Sequence, residues 1–599
     1  MRAFACTLAM LLPLFANAAE PCQEPKGTRI WLSPATPHAG APLRILAVSE
    51  DDLRGEIVIE DAEKETHALS TTHRGGPPFS LSAELRPKAG NLRVEIRSGG
   101  KTTACRRVTV DAKPAKPETK PSGEGAWVGK NAWSPAYEAY FSAWIEALFD
   151  APVDANLSFP SLAPVIRDPA RNLLWGHLGL DEDNPKNRSI AKATPDCADL
   201  PYYLRAYFAW KLNLPFALRD CDRGKPDRPP RCGEILHNEM PAQGSDRLSR
   251  FTAFLSTLAN RVHSGSARTA LTDDQTDFYP VPLERKRLRP GIIYADPYGH
   301  VLMVAKWVDQ TAQRGGLLLA VDGQPDNSVG RKRFWEGTFL YTNDSPSAGP
   351  GFKAFRPIER GPDGAITQLP NATLATDRRF ATFSDEQGKL GRDAFYARMA
   401  KVINPRGLDA ATAYRETLGA LLEQLVTRIG SVENGEKFMR EKRNPVVPMP
   451  TGPKIFETTG PWEDYATPSR DMRLLIALRV LAELPARIMA HPELFILGAK
   501  SPKDARAEIE ALHQTEINKQ GIEYRRSNGS TFRLTVSDLL ARREALGMAY
   551  NPNDCVEVRW GATPGSPDYA TCQRHAPDDQ RQPMRAYLPW FQETRRPPR

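Results

Sequence analysis

The chain lacks the short signatures that assign a chemistry at once. No residues stand at C-x-x-C or H-E-x-x-H spacing, there is no glycine-rich nucleotide loop and there is no G-x-S-x-G elbow. Those absences remove the common zinc, dithiol, nucleotide-binding and serine-hydrolase readings, and the sequence calls for no cofactor. Lysine and arginine exceed the acidic residues by a modest margin, 80 against 72. No dense basic cluster carries interleaved aromatics, so nucleic acid is not an expected partner. After the N-terminal segment no apolar run approaches the roughly 20 residues that cross a bilayer, and the chain reads as not an integral membrane protein. Cysteine is scarce, with eight in 599 residues.

What is present is a globular composition, 41% hydrophobic and 25% charged, in a chain long enough for about three or four domains. Residues 1–18 run from Met1-Arg2 through an apolar stretch to Ala16-Asn17-Ala18. A basic start, an apolar run and a small-x-small site make a cleavable secretory signal. The expected location is therefore periplasmic or secreted, where disulfides persist.

Removal of Cys6 with the signal leaves an odd number of cysteines. Cys22 and Cys105 sit at the two ends of a β-rich region, Cys221 and Cys232 bracket a Pro/Arg-rich loop, and Cys555 and Cys572 bracket another. These are the expected disulfides, and Cys197 is left over. It is a reactive thiol, an intermolecular bridge or a small buried hydrophobe.

Residues 19–112 hold short alternating runs, Thr28–Leu32, Leu43–Val48, Glu56–Ile59, Phe79–Leu85, Leu92–Ile96 and Arg106–Val110, between Gly/Pro/Asp turns. This pattern predicts an all-β immunoglobulin-like sandwich. A Pro/Lys-rich linker spans 113–126. Residues 127–355 form a central α+β domain, opening with an aromatic helix over Pro135–Phe149. Residues 356–599 read as a mostly α-helical C-terminal domain. In it Thr467-Pro468, Ser501-Pro502 and Thr535 with Asp538 mark helix starts, Trp462-Glu463-Asp464 is an acidic-aromatic loop, and the polar tail from Arg595 is expected to fray.

Around Cys197, residues Leu200, Tyr203, Leu204, Tyr207, Phe208 and Lys211 share helical spacing, predicting a helix that buries all of them except Lys211. Asp196 with Asp199 resembles a capping arrangement that puts Cys197 in the first turn; with Asp199 as cap, Pro201 fits the first turn and Cys197 lies just ahead of it. Either way the sulfur sits near the positive end of the helix dipole, which favours thiolate. Farther on, Gly291–Trp307 reads as two apolar strands around a tight turn, with His300 opening the second strand. A third strand, Gly316–Val321, runs into Asp322. A hairpin centred near Thr311 sets His300 opposite Asp322 on one face of the sheet.

A thiol, an imidazole and a carboxylate are the parts of a thiol nucleophile: the imidazole takes the thiol proton and the carboxylate fixes the ring. Asp196-Cys197-Ala198-Asp199-Leu200 resembles the Asp-Cys-Ser-Gly-hydrophobic motif of NlpC-type cell-wall cysteine peptidases. Arg289-Pro290-Gly291-Ile292-Ile293-Tyr294 followed by Gly299-His300-Val301 is similar to that family's Pro-Gly-Asp strand and His-Val strand. The resemblance implies a papain-like central domain, with Cys197 as nucleophile, His300 as base and Asp322 as orienting residue, Gln324 and Asn327 standing in reserve for the last role. It implies cleavage of amide bonds in peptidoglycan stem peptides, with peptidoglycan or envelope peptides as partners. The stretch from Cys197 to Leu214-Pro215-Phe216 is also similar to the bacterial transglutaminase-like family, which uses the same triad for acyl transfer or hydrolysis. A non-catalytic envelope-binding scaffold on the same frame is the remaining reading.

Overall fold

The computed structural model describes residues 22–187, 194–324, 326–343, 348–457 and 460–597. The expected signal segment, 1–18, lies outside the described residues. The chain is multidomain, with an all-β N-terminal region, a mixed α/β middle and a helical C-terminal part.

The N-terminal region contains all six expected strands and two short exposed ones, Thr66–Ala68 and Thr72–Arg74. They form two four-stranded antiparallel sheets. Inward residues of both sheets, among them Ile30, Ile45, Leu81, Ile57, Val94 and Ile96, close one core. The Cys22–Cys105 disulfide ties the segment before the first strand to the last strand. This region is docked on the middle one. Trp31 stacks on Tyr140 at 4.7 Å, Leu46 and Val48 enter the central core, and Arg44 donates to the carbonyls of Pro169 and Trp175.

A seven-stranded sheet organises the middle region. Its order is Phe278–Pro280, Gly351–Phe355, Ile293–Ala295, Val301–Val308, Leu317–Gly323, Val329–Arg333 and Ser158–Phe159, with every neighbouring pair antiparallel. Two helices, Pro135–Leu148 and Asp199–Lys211, bury almost all their residues in its core. That core continues through Phe395, Met399 and Ile403. Lys211, expected to be solvated, is fully buried. Its ammonium finds Glu182 and Asp183, each at 2.5 Å, and the Leu174 carbonyl. Two carboxylates are what makes that burial tolerable.

The helical part packs Ala410–Glu441 against Pro468–Ala490 and the latter against Pro502–Lys519. Ser501 and Thr535 cap the helices that they precede. The tail does not fray as far as it is described. Arg596 donates to the Tyr298 carbonyl at 3.0 Å and lies over the rings of Phe456 and Tyr298, because a guanidinium finds there both an acceptor and two aromatic faces. No helix among the described residues is long and apolar enough to cross a membrane.

Candidate active site

Asp196 opens the cysteine helix. Its Oδ1 accepts from the backbone N–H of Ala198 at 2.8 Å and of Asp199 at 2.9 Å, and its carbonyl accepts from Leu200 N at 3.0 Å. The last bond is helical, so Cys197 lies in a first turn capped by Asp196. Pro201 has no N–H to offer the Cys197 carbonyl, and the regular helix is counted only from Asp199. Of the two capping arrangements considered above, the structure has Asp196 as the capping side chain; Asp199 is held by it through its N–H and does not cap. Cys197 is half-buried and is the only cysteine among the described residues outside a disulfide; the other six pair as Cys22–Cys105, Cys221–Cys232 and Cys555–Cys572.

His300 is delivered by a tight turn. Gly299 N donates to the Asp296 carbonyl, Tyr298 N to Asp296 Oδ1, and Asp296 N to the His300 carbonyl. Gly299 takes φ +99°, which a side chain would resist. The next strand starts at Val301.

Asp322 reaches His300 by a register different from the expected one. Met303 lies opposite Val321 and Val304 opposite Ala320, with a bulge before Lys306. Carried on, this pairing sets Leu302, not His300, opposite Asp322. The offset is two residues, which keeps the side chains on the same face, where a slip of one would have separated them. His300 and Asp322 meet as diagonal neighbours, with Nε2 to Oδ2 at 2.8 Å. Gln324 Nε2 donates to the same oxygen at 2.5 Å, so the first reserve residue steadies the aspartate. Asn327 sits in the following turn at φ +70° and donates its backbone N–H to the Gln324 carbonyl.

The structure thus brings Cys197, His300 and Asp322 together. With Nε2 engaged by Asp322, Nδ1 is left for a further partner, and the Cys197 sulfur is near enough to act on the imidazole electrostatically. Burial alone pulls the imidazole down. The charge on the Cys197 sulfur, the hydrogen bond to Asp322 and the Asp322 charge outweigh it and push His300 up to about 10. The ring is 23% exposed and Asp322 only 2%. Asp322 Oδ1 is buried and has no hydrogen-bond partner among the described residues.

Gly323 sets the distance between the two halves. A Cβ there would stand 2.6 Å from the Asp196 carbonyl oxygen and 2.7 Å from that of Pro195. Strand and cysteine loop approach this closely only because the residue is glycine.

Segment 463–473 of the helical part contacts the histidine turn and lies in the electrostatic reach of the other two triad-bearing pieces of chain. Arg473 binds Asp296, in the histidine turn, at 2.5 Å and donates to the Thr338 carbonyl at 2.7 Å. Arg470 lies in the electrostatic reach of Asp322 and Asp326; burial holds its guanidinium below its ordinary value. Glu463 is raised by burial and by Asp464 and Asp196. Asp199, with a buried Oδ1 that has no partner, is pushed up to about 8 by burial and by Asp196. The stretch expected as an acidic-aromatic loop is instead a short helix, Gly460–Tyr465; Trp462 belongs to the helical core, with Nε1 on the Ile455 carbonyl, and Glu463 lies in the electrostatic reach of Asp196. Arg470, Arg473 and Asp296 were not singled out from the sequence. Their i, i+3 spacing puts the two arginines on one helix face, but nothing local to residue 470 points to a turn near residue 300.

No family model matches the chain, and no curated protein or solved structure is similar to it.

Proposed function

We propose that the protein is an exported thiol hydrolase that cleaves amide bonds in peptidoglycan stem peptides, on a papain-like central domain with an immunoglobulin-like N-terminal domain. The carrying observation is that one imidazole is bonded to a buried carboxylate and lies in the electrostatic reach of the free thiol. The three disulfides support an oxidising compartment outside the cytoplasm.

In this reading the Cys197 sulfur, as thiolate, attacks the scissile carbonyl carbon. The oxyanion is met by the Cys197 N–H, since those of Ala198 and Asp199 are taken by Asp196. His300 Nδ1–H then gives its proton to the departing amine, and the C–N bond breaks to leave a thioester on Cys197. Water enters with His300 as base, the thioester C–S bond breaks, and the acid product leaves as the thiolate returns. Asp322 holds Nε2–H throughout and keeps the ring aimed.

Digestion of purified peptidoglycan, with released fragments identified by mass, tests the proposal. Wild type is expected to release fragments cut at an amide bond and Cys197→Ala none. Fragments joined by a new amide would assign acyl transfer to an amine. Identical profiles from the two proteins would leave only a binding frame.

A further inference from the structure

Arg470 is a cationic group beside this site that has no hydrogen-bond or ion-pair partner among the described residues. The helix Pro468–Ala490 carries four arginines. Arg473 is fixed by Asp296 and Thr338, Arg479 donates to Thr594 Oγ1 at 2.7 Å, and Arg487 pairs with Glu336 at 2.5 Å. The adjacent Asp471 is taken by Arg428 in a two-bond pair at 2.8 and 2.9 Å. Arg470 makes no hydrogen bond and no ion pair among the described residues, although it is half-buried and the helix around it is pinned.

Its position is set by Arg473, one turn farther along the same face and locked onto the histidine turn. Arg470 thereby lies in the electrostatic reach of Asp322 and Asp326, while the acidic Asp196, Asp199 and Glu463 act on one another at the cysteine loop. Asp322 does not satisfy it: Oδ2 is shared by His300 and Gln324, and Asp322 makes no ion pair with Arg470 among the described residues. An unengaged, partly buried guanidinium fork on a pinned helix is matched in geometry and charge by a carboxylate.

From this we infer that Arg470 binds a carboxylate of the substrate and so selects peptides that carry a free carboxyl group near the bond to be cut. The inference rests on Cys197, His300 and Asp322 being an active site. It adds that the helical part supplies a substrate-binding residue and does not merely brace the fold.

The test uses binding, so that it does not depend on turnover. Full-length Cys197→Ala protein is titrated by calorimetry with a synthetic stem tetrapeptide bearing free carboxyl groups, and with the same peptide as its amides. The free-acid peptide is expected to bind about 10- to 100-fold more tightly. Adding Arg470→Gln removes that preference, leaving both peptides at the weaker value, while Arg470→Lys keeps part of it. Failure of either peptide to bind, equal affinity for the two, or a preference that survives in Arg470→Gln would each overturn the inference. So would losses from amidation and from Arg470→Gln that simply add. Wild-type cleavage of the same peptides is read separately: tight, Arg470-dependent binding without cleavage upholds the inference and defeats the hydrolase reading.

Discussion

At His300 one ring nitrogen is bonded to the Asp322 carboxylate, and the Cys197 sulfur acts electrostatically on the same ring. Both favour the imidazolium, whose ordinary value of 6.5 rises to about 10. A group raised in the folded state adds stability that is complete below its unfolded value and is lost as pH climbs through the folded one. The stability difference between wild type and His300→Gln is therefore expected to shrink between pH 6.5 and about 10, as urea titrations across that window would reveal. Amide cleavage needs the imidazolium as acid, so its alkaline limb should fall near pH 10. Asp322→Asn removes two of the raising influences and is expected to move that limb to lower pH. His300→Gln should cost about 10²–10⁴ in kcat. A limb that stays in place in Asp322→Asn would remove Asp322 from the account.

Among the elements, the contact between the Leu317–Gly323 strand and the Pro195-Asp196 loop decides whether the triad assembles. Gly323→Ala would place a methyl against two backbone oxygens that cannot rotate away. The expected outcome is loss of cleavage with a cooperative melt retained, since the cysteine loop can move and the sheet cannot. The cap, the cysteine helix and the hairpin were legible because each is encoded locally. Asp196 precedes an apolar helical stripe, and Gly299 precedes an alternating strand. The pairing of His300 with Asp322 was legible in its face but not in its register. The bulge before Lys306 and the shape of the 309–316 loop set the offset, and strand alternation carries no trace of either. Lys211 was misread for a related reason: its acidic partners, Glu182 and Asp183, come from a distant loop, so the helix pattern alone shows only a charged end.

For the whole molecule, the three parts form one packed unit around the sheet, and the division into parts was easier to read than their contacts. The N-terminal sheets reach the central helix through Trp31 on Tyr140. Trp31→Ala is expected to lower stability by about 1–3 kcal/mol with cleavage per folded molecule unchanged; a loss of cleavage with no loss of stability would instead connect this region to substrate. The helical part lies against the histidine turn through Arg473 and Arg596, an arrangement set by tertiary packing more than 100 residues away in sequence and invisible to local pattern. The central claim is that Cys197 is a nucleophile served by His300, and alkylation of the native protein tests it most directly. Iodoacetamide near neutral pH without reductant, followed by peptide mapping, is expected to label Cys197 alone, about tenfold or more slowly in His300→Gln. Native protein in which Cys197 stays unlabelled, or is labelled equally fast without His300, would contradict the account.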